Sequence, residues 1–406
     1  MVQQMELEFI KPLLKQSDSK IVLLVMDGLG GLPLNPSGLT ELETAKTPHL
    51  DLLAKEGICG LQLPVGSGIT PGSGPGHLAL FGYNPRKYTV GRGILSANGI
   101  GFPIQPGDVT ARGNFCTIDG NGIITDRRAG RIPSEKNKEL CEVLRDNISL
   151  PGVEIFIETE KEYRFVLVLR GEGLSAEIHD TDPQEVGKKP LHATAFAEKA
   201  QRTADIVNNF LQQTQRILHD HHPANMVLLR GFSTKPDWPT MQESFGVHAA
   251  AIAAYPMYRG LAGLLGMDIL QTGETIQEEF ETLKQQWNNY DFFYVHIKKT
   301  DSSGEDGNFD KKVEIIEQVD HMIPQLRELN PAVIIVTGDH STPALHKAHS
   351  WHPVPVLLWS KLCRTDFVKE FGERACVTGA LGPRFPAEDL LPLALANAER
   401  LEKFGA

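Results

Sequence analysis

The sequence predicts an α/β fold, in which helices flank a mostly parallel sheet and a smaller α+β domain is inserted into the chain. Short runs rich in β-branched residues and leucine alternate with longer helical stretches, and this alternation is typical of parallel sheets. The first run, Ile21–Met26, is apolar at every position, as expected of a strand buried on both faces. The other predicted strands are Phe165–Leu169, Met226–Leu229, Phe292–Ile297 and Val333–Val336, and the predicted helices are Thr194–Leu218, Val247–Leu265 and Phe309–Leu329.

A further helix is predicted between Thr47 and Gly57. Thr47 is a suitable N-cap residue, Pro48 fits the first helical turn, and a glycine commonly ends a helix. A glycine-rich stretch follows, from Gly66 to Gly101, in which the backbone can turn tightly and approach a ligand closely.

The length of the chain, 406 residues, suits two domains or one large domain with an insertion. The middle of the chain lacks the pattern of a strand followed directly by an acidic residue. We therefore expect a core domain of residues 1–105 and 223–406, interrupted by an inserted domain of residues 106–222.

The composition excludes several classes of protein. The net charge is −11, which is unfavourable for general binding to nucleic acids or membrane surfaces, so an anionic substrate would need a local cationic patch. The five cysteines are scattered and form no CxxC pair, and the first residues lack the apolar stretch of a signal peptide. We expect a cytoplasmic protein with no nucleic-acid or membrane partner, and the sequence leaves its oligomeric state open.

Four short segments place potential metal ligands at the ends of predicted strands or in the adjoining loops. The ligands are Asp27, then Asp301 with Glu305, then Asp339 with His340, and finally His349 with His352. Since strand ends can converge on one crevice, these side chains are candidates for a shared site. Carboxylate and imidazole ligands suit Mn²⁺, Mg²⁺ or Zn²⁺, and two such ions about 4 Å apart would clamp a phosphoryl group.

Each of these residues also has a structural interpretation. An aspartate after a strand is most often a turn or N-cap residue. The segment Ser341–Pro343 could begin a helix, and His352 could simply precede a strand. The occurrence of all four segments in one chain favours the metal site over these separate explanations.

Ser73 is the candidate nucleophile. Its neighbours Gly72, Gly74 and Gly76 permit close backbone approach to a ligand. Serine is a weak nucleophile near neutral pH, and the sequence shows no adjacent histidine triad, so activation by a metal ion is the natural route. A plain glycine-rich turn is the alternative, and His77 fits a buried or supporting role as well as a catalytic one.

These motifs together resemble the alkaline phosphatase superfamily of metalloenzymes. The motifs are MDG, PGS followed by His77, Asp301 with an acidic residue four positions later, TGDHS, and HS followed by PVP. Within that superfamily the chain is most similar to the archaeal-type 2,3-bisphosphoglycerate-independent phosphoglycerate mutases. The likeness spans nearly the whole chain and includes the segments TPHLDLLA, FGYNPRKYTVGRG, ARGNF, DRRAGRI, DTDP and AAYPMYRGLAGLLGMD.

The resemblance implies an alkaline-phosphatase-like core and a covalent mechanism on a small phosphorylated acid. It assigns one metal ion to Asp27, Ser73, Asp339 and His340, and a second to Asp301, His349 and the residue four after Asp301. Ser73 would accept the phosphoryl group and return it to the other hydroxyl of glycerate. The chain would thus interconvert 3-phosphoglycerate and 2-phosphoglycerate.

Glu305 departs from the pattern of many relatives, which have histidine at this position. A glutamate can still bind a metal ion, and its hard oxygen favours Mn²⁺ or Mg²⁺ over Zn²⁺. It also adds a negative charge, which would make the site less electrophilic. We expect two divalent ions, with Mn²⁺ preferred and Mg²⁺ or Zn²⁺ as alternatives, and His296 or Asp306 as the replacement ligand if Glu305 is not one.

Arginines form a second set of candidates, for binding the phosphate and carboxylate of the substrate. They are Arg112, Arg127, Arg128, Arg131, Arg230 and Arg259. The first four lie in the predicted insertion, which would close on the core and exclude water from the reaction. A solvated surface charge is the alternative for each of them taken singly.

Two other functions remain open at this level. The same metal core could serve a related phosphotransferase, such as a homoserine-kinase-like enzyme, and the Glu305 variation leaves room for it. A non-catalytic protein on a degraded enzyme fold would lack the nucleophile or its ligands, whereas this chain retains them.

Overall fold

The computed structural model describes residues 7–405, and these form two compact units. The first unit contains the chain up to Thr89, the segment Trp238–Tyr255, and the chain from Leu265 onward. The second contains Val90–Asp237 and Pro256–Leu264.

The elements of both units follow in chain order. The strands are β1 Ile21–Met26, β2 Ile58–Leu63, β3 Val109–Ile118, β4 Ile124–Asp126, β5 Glu154–Lys161, β6 Arg164–Arg170, β7 Met226–Ser233, β8 Ala249–Ala253, β9 Asp268–Leu270, β10 Phe292–Ile297, β11 Val333–Thr337, β12 Val354–Ser360 and β13 Gly382–Pro386. The α-helices are α1 Leu7–Ile10, α2 Glu41–Thr44, α3 Pro48–Glu56, α4 Ser73–Leu80, α5 Arg92–Gly99, α6 Ser134–Asn147, α7 Gln201–Ile217, α8 Met241–Phe245, α9 Pro256–Leu264, α10 Ile276–Gln286, α11 Lys299–Glu305, α12 Phe309–Asp320, α13 Ile323–Glu328, α14 Glu373–Cys376 and α15 Leu390–Asn397. Short 3₁₀ turns cover Lys11–Leu13, Ala129–Arg131, Glu198–Ala200 and Ala387–Asp389. Among residues 7–405, the helices are all too short or too polar to cross a lipid bilayer.

The first unit is built on an eight-stranded sheet in the order β13-β2-β12-β11-β1-β10-β8-β9. Strands β11, β1, β10, β8 and β9 run parallel to one another, and β13 runs parallel to β2. Strand β12 is antiparallel to both β11 and β2. The mostly parallel α/β sheet predicted from the sequence is therefore confirmed.

Strand β1 lies in the middle of this sheet. All six of its residues are buried, because helices cover both faces, and this explains why the run is apolar without alternation. The predicted bounds of β1 and β10 match the structure, and helix α3 runs from Pro48 to Glu56 as its cap signals indicate. On one face of the sheet, Val22, Leu24 and Met26 belong to the apolar core.

The predicted helix Val247–Leu265 is wrong in its first half. Residues Ala249–Ala253 form strand β8, which pairs in parallel with both β10 and β9, and the helix α9 starts only at Pro256. The run AAAIA has high helix propensity, but it lies between β10 and β9 in the sheet, where its small side chains are buried. Tertiary context has overridden the local preference.

Two other predicted helices are shorter than expected. Thr194–Leu218 reduces to α7, Gln201–Ile217, preceded by a 3₁₀ turn. The stretch Phe309–Leu329 divides into α12 and α13, with the break before Pro324, since a proline is tolerated only in the first turn of a helix.

The second unit contains an antiparallel sheet in the order β4-β3-β6-β5, with β7 also paired to β3. Its core includes Phe115 and Phe165, whose rings lie 4.9 Å apart. Helices α5 and α9 of this unit pack closely through glycine, since a β-carbon at Gly260 would lie 2.0 Å from the carbonyl oxygen of Leu95.

The limits of the second unit differ from those expected of the insertion, residues 106–222. Helix α5 belongs to this unit because it packs on β3 and β7; a β-carbon at Gly93 would lie 2.4 Å from the carbonyl oxygen of Thr110, and Ile94 N–H donates to Ser233 Oγ. The core role and the lid role given to the two regions stay predictions.

We expect truncation of Leu24, which is fully buried in β1, to destabilise the first unit. Leu24→Ala should lower its free energy of unfolding by about 2–5 kcal/mol, because a cavity is left in a packed core. Urea unfolding followed by tryptophan fluorescence measures this, since all four tryptophans lie in the first unit. Leu52→Ala, at a side chain 42% exposed, is the control and should cost about 0.5 kcal/mol or less; equal losses in both variants would contradict the prediction.

Candidate functional site

Three neighbouring strands of the first sheet end at the same edge and bring acidic side chains together. Asp27 follows β1, Asp301 lies in the first turn of α11 directly after β10, and Asp339 lies two residues after β11. All three carboxylates are buried. The parallel register of β10 and β11 on either side of β1 places these strand ends side by side.

Asp27, Asp339 and His340 form a first group of potential ligands. Their ligand atoms all lie within 4.8 Å of one another. His340 Nε2 is 3.1 Å from Asp339 Oδ2 and 3.4 Å from Asp27 Oδ1, and all three side chains are buried. The main-chain N–H of Gly28 donates to Asp339 Oδ1 at 3.1 Å, which fixes the carboxylate against the loop after β1.

Asp301, His340 and His349 form a second group with the same spacing. His349 Nε2 lies 3.7 Å from Asp301 Oδ1, and the rings of His340 and His349 stack with centroids 3.5 Å apart. The orientation of His349 is fixed by a contact of 2.9 Å between its Nδ1 and the carbonyl oxygen of Pro71. His340 belongs to both groups, so the two sets are contiguous.

Ser73 is the first residue of helix α4 and lies beside these groups. Its Oγ is 3.3 Å from His340 Nε2. The helix comes this close because Gly76 has no side chain: a β-carbon there would lie 2.3 Å from the carbonyl oxygen of Asp339. The glycine-rich stretch around Ser73 thus begins a helix that contacts the loop after β11, here called the ligand loop, which carries Asp339 and His340.

Two buried histidines support the acidic groups from the core side. His77 Nδ1 lies 3.1 Å from Asp339 Oδ2 and 2.9 Å from the carbonyl oxygen of Ser73. His296, on β10, lies 3.1 Å from Asp27 Oδ2 through its Nε2. Both histidines therefore contact carboxylates of the first group.

Lys298 is a site residue that the sequence analysis missed. Its Nζ lies 3.1 Å from Asp27 Oδ2 and 2.5 Å from Asp301 Oδ2, so one ammonium links carboxylates from both groups. The position of this lysine directly after β10, three residues before Asp301, was a usable signal. Thr342 was also missed; its Oγ1 donates to Asp301 Oδ1 at 2.7 Å and lies 2.9 Å from His340 Nδ1.

The electrostatics of the site keep the carboxylate of Asp27 ionised. Burial and the nearby Asp339 would raise the pKa of Asp27, but Lys298 and His296 outweigh them and lower it to about 2. Burial would lower the pKa of His340, yet the surrounding carboxylates, Asp339 first, raise it above the ordinary value. Dense buried negative charge of this kind attracts cations.

The donor set fits divalent metal ions. Carboxylate oxygens and imidazole nitrogens converge from several loops, and the two groups contain no thiolate. Oxygen and nitrogen donors of this type suit Mn²⁺, Mg²⁺ and Zn²⁺. The same residues, together with Ser73, had been selected from the sequence.

Glu305 and His352 lie outside the two groups. Glu305 ends helix α11, its side chain is 54% exposed, and its Oε1 is 3.9 Å from His349 Nε2. His352 contacts Ser350 Oγ at 3.0 Å and stacks on Trp351 instead of facing the carboxylates. Glu305 is thus at the rim of the second group, and a role as a ligand is still a prediction.

The candidate arginines all lie in the second unit. Arg127 forms a two-point ion pair with the buried Asp182, with nitrogen–oxygen distances of 3.1 and 2.6 Å. Arg128 and Arg131 are exposed, and a left-handed residue, Gly130, separates them. The neighbours Arg127 and Arg128 therefore differ in environment, as expected of adjacent residues that face different ways.

A second set of arginines surrounds Arg112 on β3. Arg112 is opposite Arg230 of β7 in the sheet register, and Arg92 and Arg164 are close enough to act on its charge. Burial, then repulsion from Arg92, lowers the pKa of Arg112 to about 10. Arg230 donates to Gln184 Oε1 at 2.9 Å, and Arg259 lies half-buried on α9. Arg92 was not selected from the sequence, which gave no sign of this clustering.

Comparisons with known proteins identify the family. The family model for 2,3-bisphosphoglycerate-independent phosphoglycerate mutase matches residues 54–225. A protein of Thermotoga neapolitana named "Probable 2,3-bisphosphoglycerate-independent phosphoglycerate mutase" is 51% identical over 400 residues, which cover 98% of this chain and 99% of the relative. A Thermosipho africanus protein of the same name is 53% identical over 98% of each chain. This chain belongs to that family.

Solved structures agree with the assignment. The cofactor-independent phosphoglycerate mutase from Thermoplasma acidophilum is 31% identical, with a TM-score of 0.70 over 94% of this chain and all of the other. A Pyrococcus horikoshii protein gives a TM-score of 0.82 at 29% identity, over 96% and 99% of the two chains. The resemblance to phosphoglycerate mutases inferred from the sequence motifs is confirmed.

We expect Gly76→Ala to impair the enzyme. The added β-carbon would collide with a main-chain oxygen at Asp339, so α4 must shift and Ser73 with it. A displacement of about 1 Å should lower turnover of phosphoglycerate by about a hundredfold. Gly66→Ala, where a β-carbon meets only Ile69 at 3.9 Å, is the control. Turnover is the deciding measurement, because alanine also favours the helix and the stability of the variant therefore does not report the shift of Ser73. Wild-type turnover in Gly76→Ala would contradict the prediction.

Proposed function

We propose that this chain is a metal-dependent, cofactor-independent phosphoglycerate mutase. It would interconvert 3-phosphoglycerate and 2-phosphoglycerate through a phosphoserine at Ser73. The observation that carries the proposal is the position of the Ser73 hydroxyl, 3.3 Å from the histidine shared by the two groups of potential metal ligands.

The proposed reaction consumes neither water nor a nucleotide. Ser73 Oγ attacks the phosphorus of 3-phosphoglycerate, the bond from phosphorus to the C3 oxygen breaks, and the serine proton ends on that oxygen. The C2 hydroxyl then attacks phosphoserine, gives 2-phosphoglycerate, and returns a proton to Ser73 Oγ. Glycerate must stay bound between the two transfers, since its loss would leave a phosphoenzyme open to hydrolysis.

Several residues of the chain would assist these steps. His77 holds the main chain at Ser73, and the helix start at Ser73 offers main-chain N–H groups to a phosphoserine. Lys298 brings a positive charge to the edge between the two groups of carboxylates. These contacts orient the nucleophile and stabilise negative charge on the transferred group.

Two divalent cations are proposed as cofactors. Asp27, Ser73, Asp339 and His340 would hold one, and Asp301, His349 and Glu305 the other. When bound, such ions neutralise phosphoryl oxygens and make the serine hydroxyl more acidic. Mn²⁺ is preferred, with Mg²⁺ or Zn²⁺ as alternatives, because oxygen donors outnumber nitrogen donors in this set.

The substrate is a small anion, so cationic side chains must bind its carboxylate and phosphate. Arg112 is the better candidate among the six, because Arg127 is already paired with Asp182 and Arg230 Nε lies 3.7 Å from the same carboxylate. Arg230 stays a proposed contributor. Arg128, Arg131 and Arg259 remain proposed contributors. The five cysteines are all unpaired, which supports a reducing, cytoplasmic setting.

An enolase-coupled assay tests the function. Metal-stripped protein receives Mn²⁺ and 3-phosphoglycerate without ATP or 2,3-bisphosphoglycerate, and phosphoenolpyruvate is followed. We expect turnover in the wild type and a loss of at least about a thousandfold in Ser73→Ala, because the nucleophile is removed. Acid-quenched wild-type enzyme should carry phosphate on Ser73 by mass spectrometry.

The matched control is Ser302→Ala, an exposed serine on α11 next to a ligand candidate. It should retain wild-type turnover and Mn²⁺ binding. Undiminished turnover in Ser73→Ala would remove the covalent mechanism. A wild type that binds two metal ions but turns over no phosphoglycerate would favour the homoserine-kinase-like alternative, tested next with homoserine and ATP.

Glu305 yields a separate prediction about the second metal ion. Glu305→Ala should weaken binding of one of the two Mn²⁺ ions by about 10–100-fold, the usual cost of removing a group at a metal site. Glu305→His should shift the preference of that site toward Zn²⁺, because imidazole is a softer ligand than carboxylate. Metal titration of the purified variants measures both effects.

Asp306→Ala is the control for this prediction, because Asp306 is the adjacent exposed carboxylate. It should bind both ions as the wild type does. If Glu305→Ala leaves metal stoichiometry and turnover unchanged while Asp306→Ala lowers them, Asp306 is the ligand and Glu305 is not.

A further inference from the structure

A buried lysine lies behind the acidic groups. Lys312 is on helix α12, and its side chain is fully buried. Its Nζ donates to three main-chain carbonyl oxygens: Gly28 at 2.8 Å, Gly30 at 3.1 Å and Thr342 at 2.9 Å. An ammonium has three donors and no acceptor, so these carbonyls use its whole capacity. A neutral amine could not supply all three bonds.

The carbonyls belong to the two loops that carry the candidate ligands. Gly28 directly follows Asp27, and its N–H donates to Asp339 Oδ1. Thr342 comes two residues after His340, and its hydroxyl donates to Asp301. The N–H of Thr342 also bonds to the carbonyls of Gly28 and Gly30. Lys312 thus joins the loop after β1 to the loop after β11.

A buried glutamate accompanies the lysine. Glu41, fully buried at the start of α2, has its Oε1 3.9 Å from Lys312 Nζ. It accepts the N–H of Leu32 at 3.1 Å and the N–H of Ala344 at 2.8 Å. These two residues continue the same two loops, so Glu41 joins the loops through their N–H groups as Lys312 does through their carbonyls.

We propose that Lys312 and Glu41 are positioning residues for the metal centre. By fixing the separation of the loop after β1 and the loop after β11, this pair sets the affinity of the site for metal ions. The hydrogen bonds that argue for this role go from the pair to the main chain of the two loops. The inference rests on the proposed metal-dependent function.

A general contribution to stability does not explain the pair. Placing an ammonium and a carboxylate in the interior carries a desolvation cost, and replacing a buried pair with apolar groups is often neutral or stabilising. An apolar pair could fill the same space, but it could not bond to loop carbonyls and N–H groups. The hydrogen bonds to the two ligand loops are what the charged pair adds.

The double variant Lys312→Met/Glu41→Gln tests the inference, because it leaves no uncompensated buried charge. We expect the folded apo-protein to bind Mn²⁺ with a dissociation constant raised about 10–100-fold, as for groups that orient metal ligands. Free Mn²⁺ is measured by electron paramagnetic resonance, and folding by circular dichroism. A pair with a merely structural role would lower the melting temperature and leave Mn²⁺ affinity unchanged.

Arg400→Met is the matched control. Arg400 is also a buried cation bonded to a main-chain carbonyl of the first unit, that of Ser19 at 2.6 Å. Ser19 precedes β1, whereas Asp27 follows it, and a six-residue strand separates the two by about 20 Å. This variant should lose stability and keep wild-type Mn²⁺ affinity.

The outcomes separate the possibilities. Wild-type affinity in the folded double variant, or equal losses of affinity in Arg400→Met, would overturn the inference. If the double variant does not fold, the single variant Glu41→Gln decides: a severalfold loss of Mn²⁺ affinity supports the inference, and wild-type affinity contradicts it. Absence of Mn²⁺ binding by the wild-type protein would instead contradict the proposed metal centre, and the inference with it.

Discussion

The burial of three carboxylates at one edge of a parallel sheet is the constraint on which the rest of the first unit depends. Asp27, Asp301 and Asp339 repel one another in an environment that screens charge poorly. They stay together because β11, β1 and β10 are held in parallel register and packed on an apolar core. Lys298 offsets part of this charge at the open side, while His77 and His296 contact Asp339 and Asp27 from the core side. The packing of the sheet thus holds the three carboxylates close together against their mutual repulsion.

Close backbone approach is the second requirement, and glycine meets it at the positions that matter. The loop after β1 turns at Gly28 with a positive φ of 65°. Helix α4 reaches the ligand loop at Gly76, and helix α11 reaches it at Gly304, where a β-carbon would lie 2.2 Å from the carbonyl oxygen of Thr342. Two helices therefore bring Ser73 and Asp301 to one loop because neither has a side chain at its contact point. The glycines of this chain are packing elements of the site as much as flexible ones.

Much of this arrangement could be predicted from the sequence, and the failures have physical causes. The apolar run of β1 and the mostly apolar run of β10, which His296 interrupts, located both strands correctly, since burial on both faces leaves a strong local signal. The alanine-rich β8 was assigned to a helix because its strand conformation is imposed by neighbours distant in sequence. Polar residues at strand ends pointed to the ligand groups. Lys312 could not be found in this way: within an amphipathic helix it reads as a surface residue, and only the tertiary structure shows its side chain among loop carbonyls.

The position of Glu305 changes the charge balance inferred from the sequence. With four carboxylates counted equally, two divalent ions would be neutralised and the site would attract a phosphoryl group weakly. In the structure Glu305 is 54% exposed, so water screens its charge, whereas the three aspartates are buried. If the two proposed divalent cations were bound, their four positive charges and the Lys298 ammonium would exceed the three buried negative charges by two. A phosphoryl dianion carries two negative charges, so the site with this group bound would be close to neutral. Glutamate at the rim is therefore compatible with phosphoryl transfer, because its exposure limits the effect of its charge on the buried site.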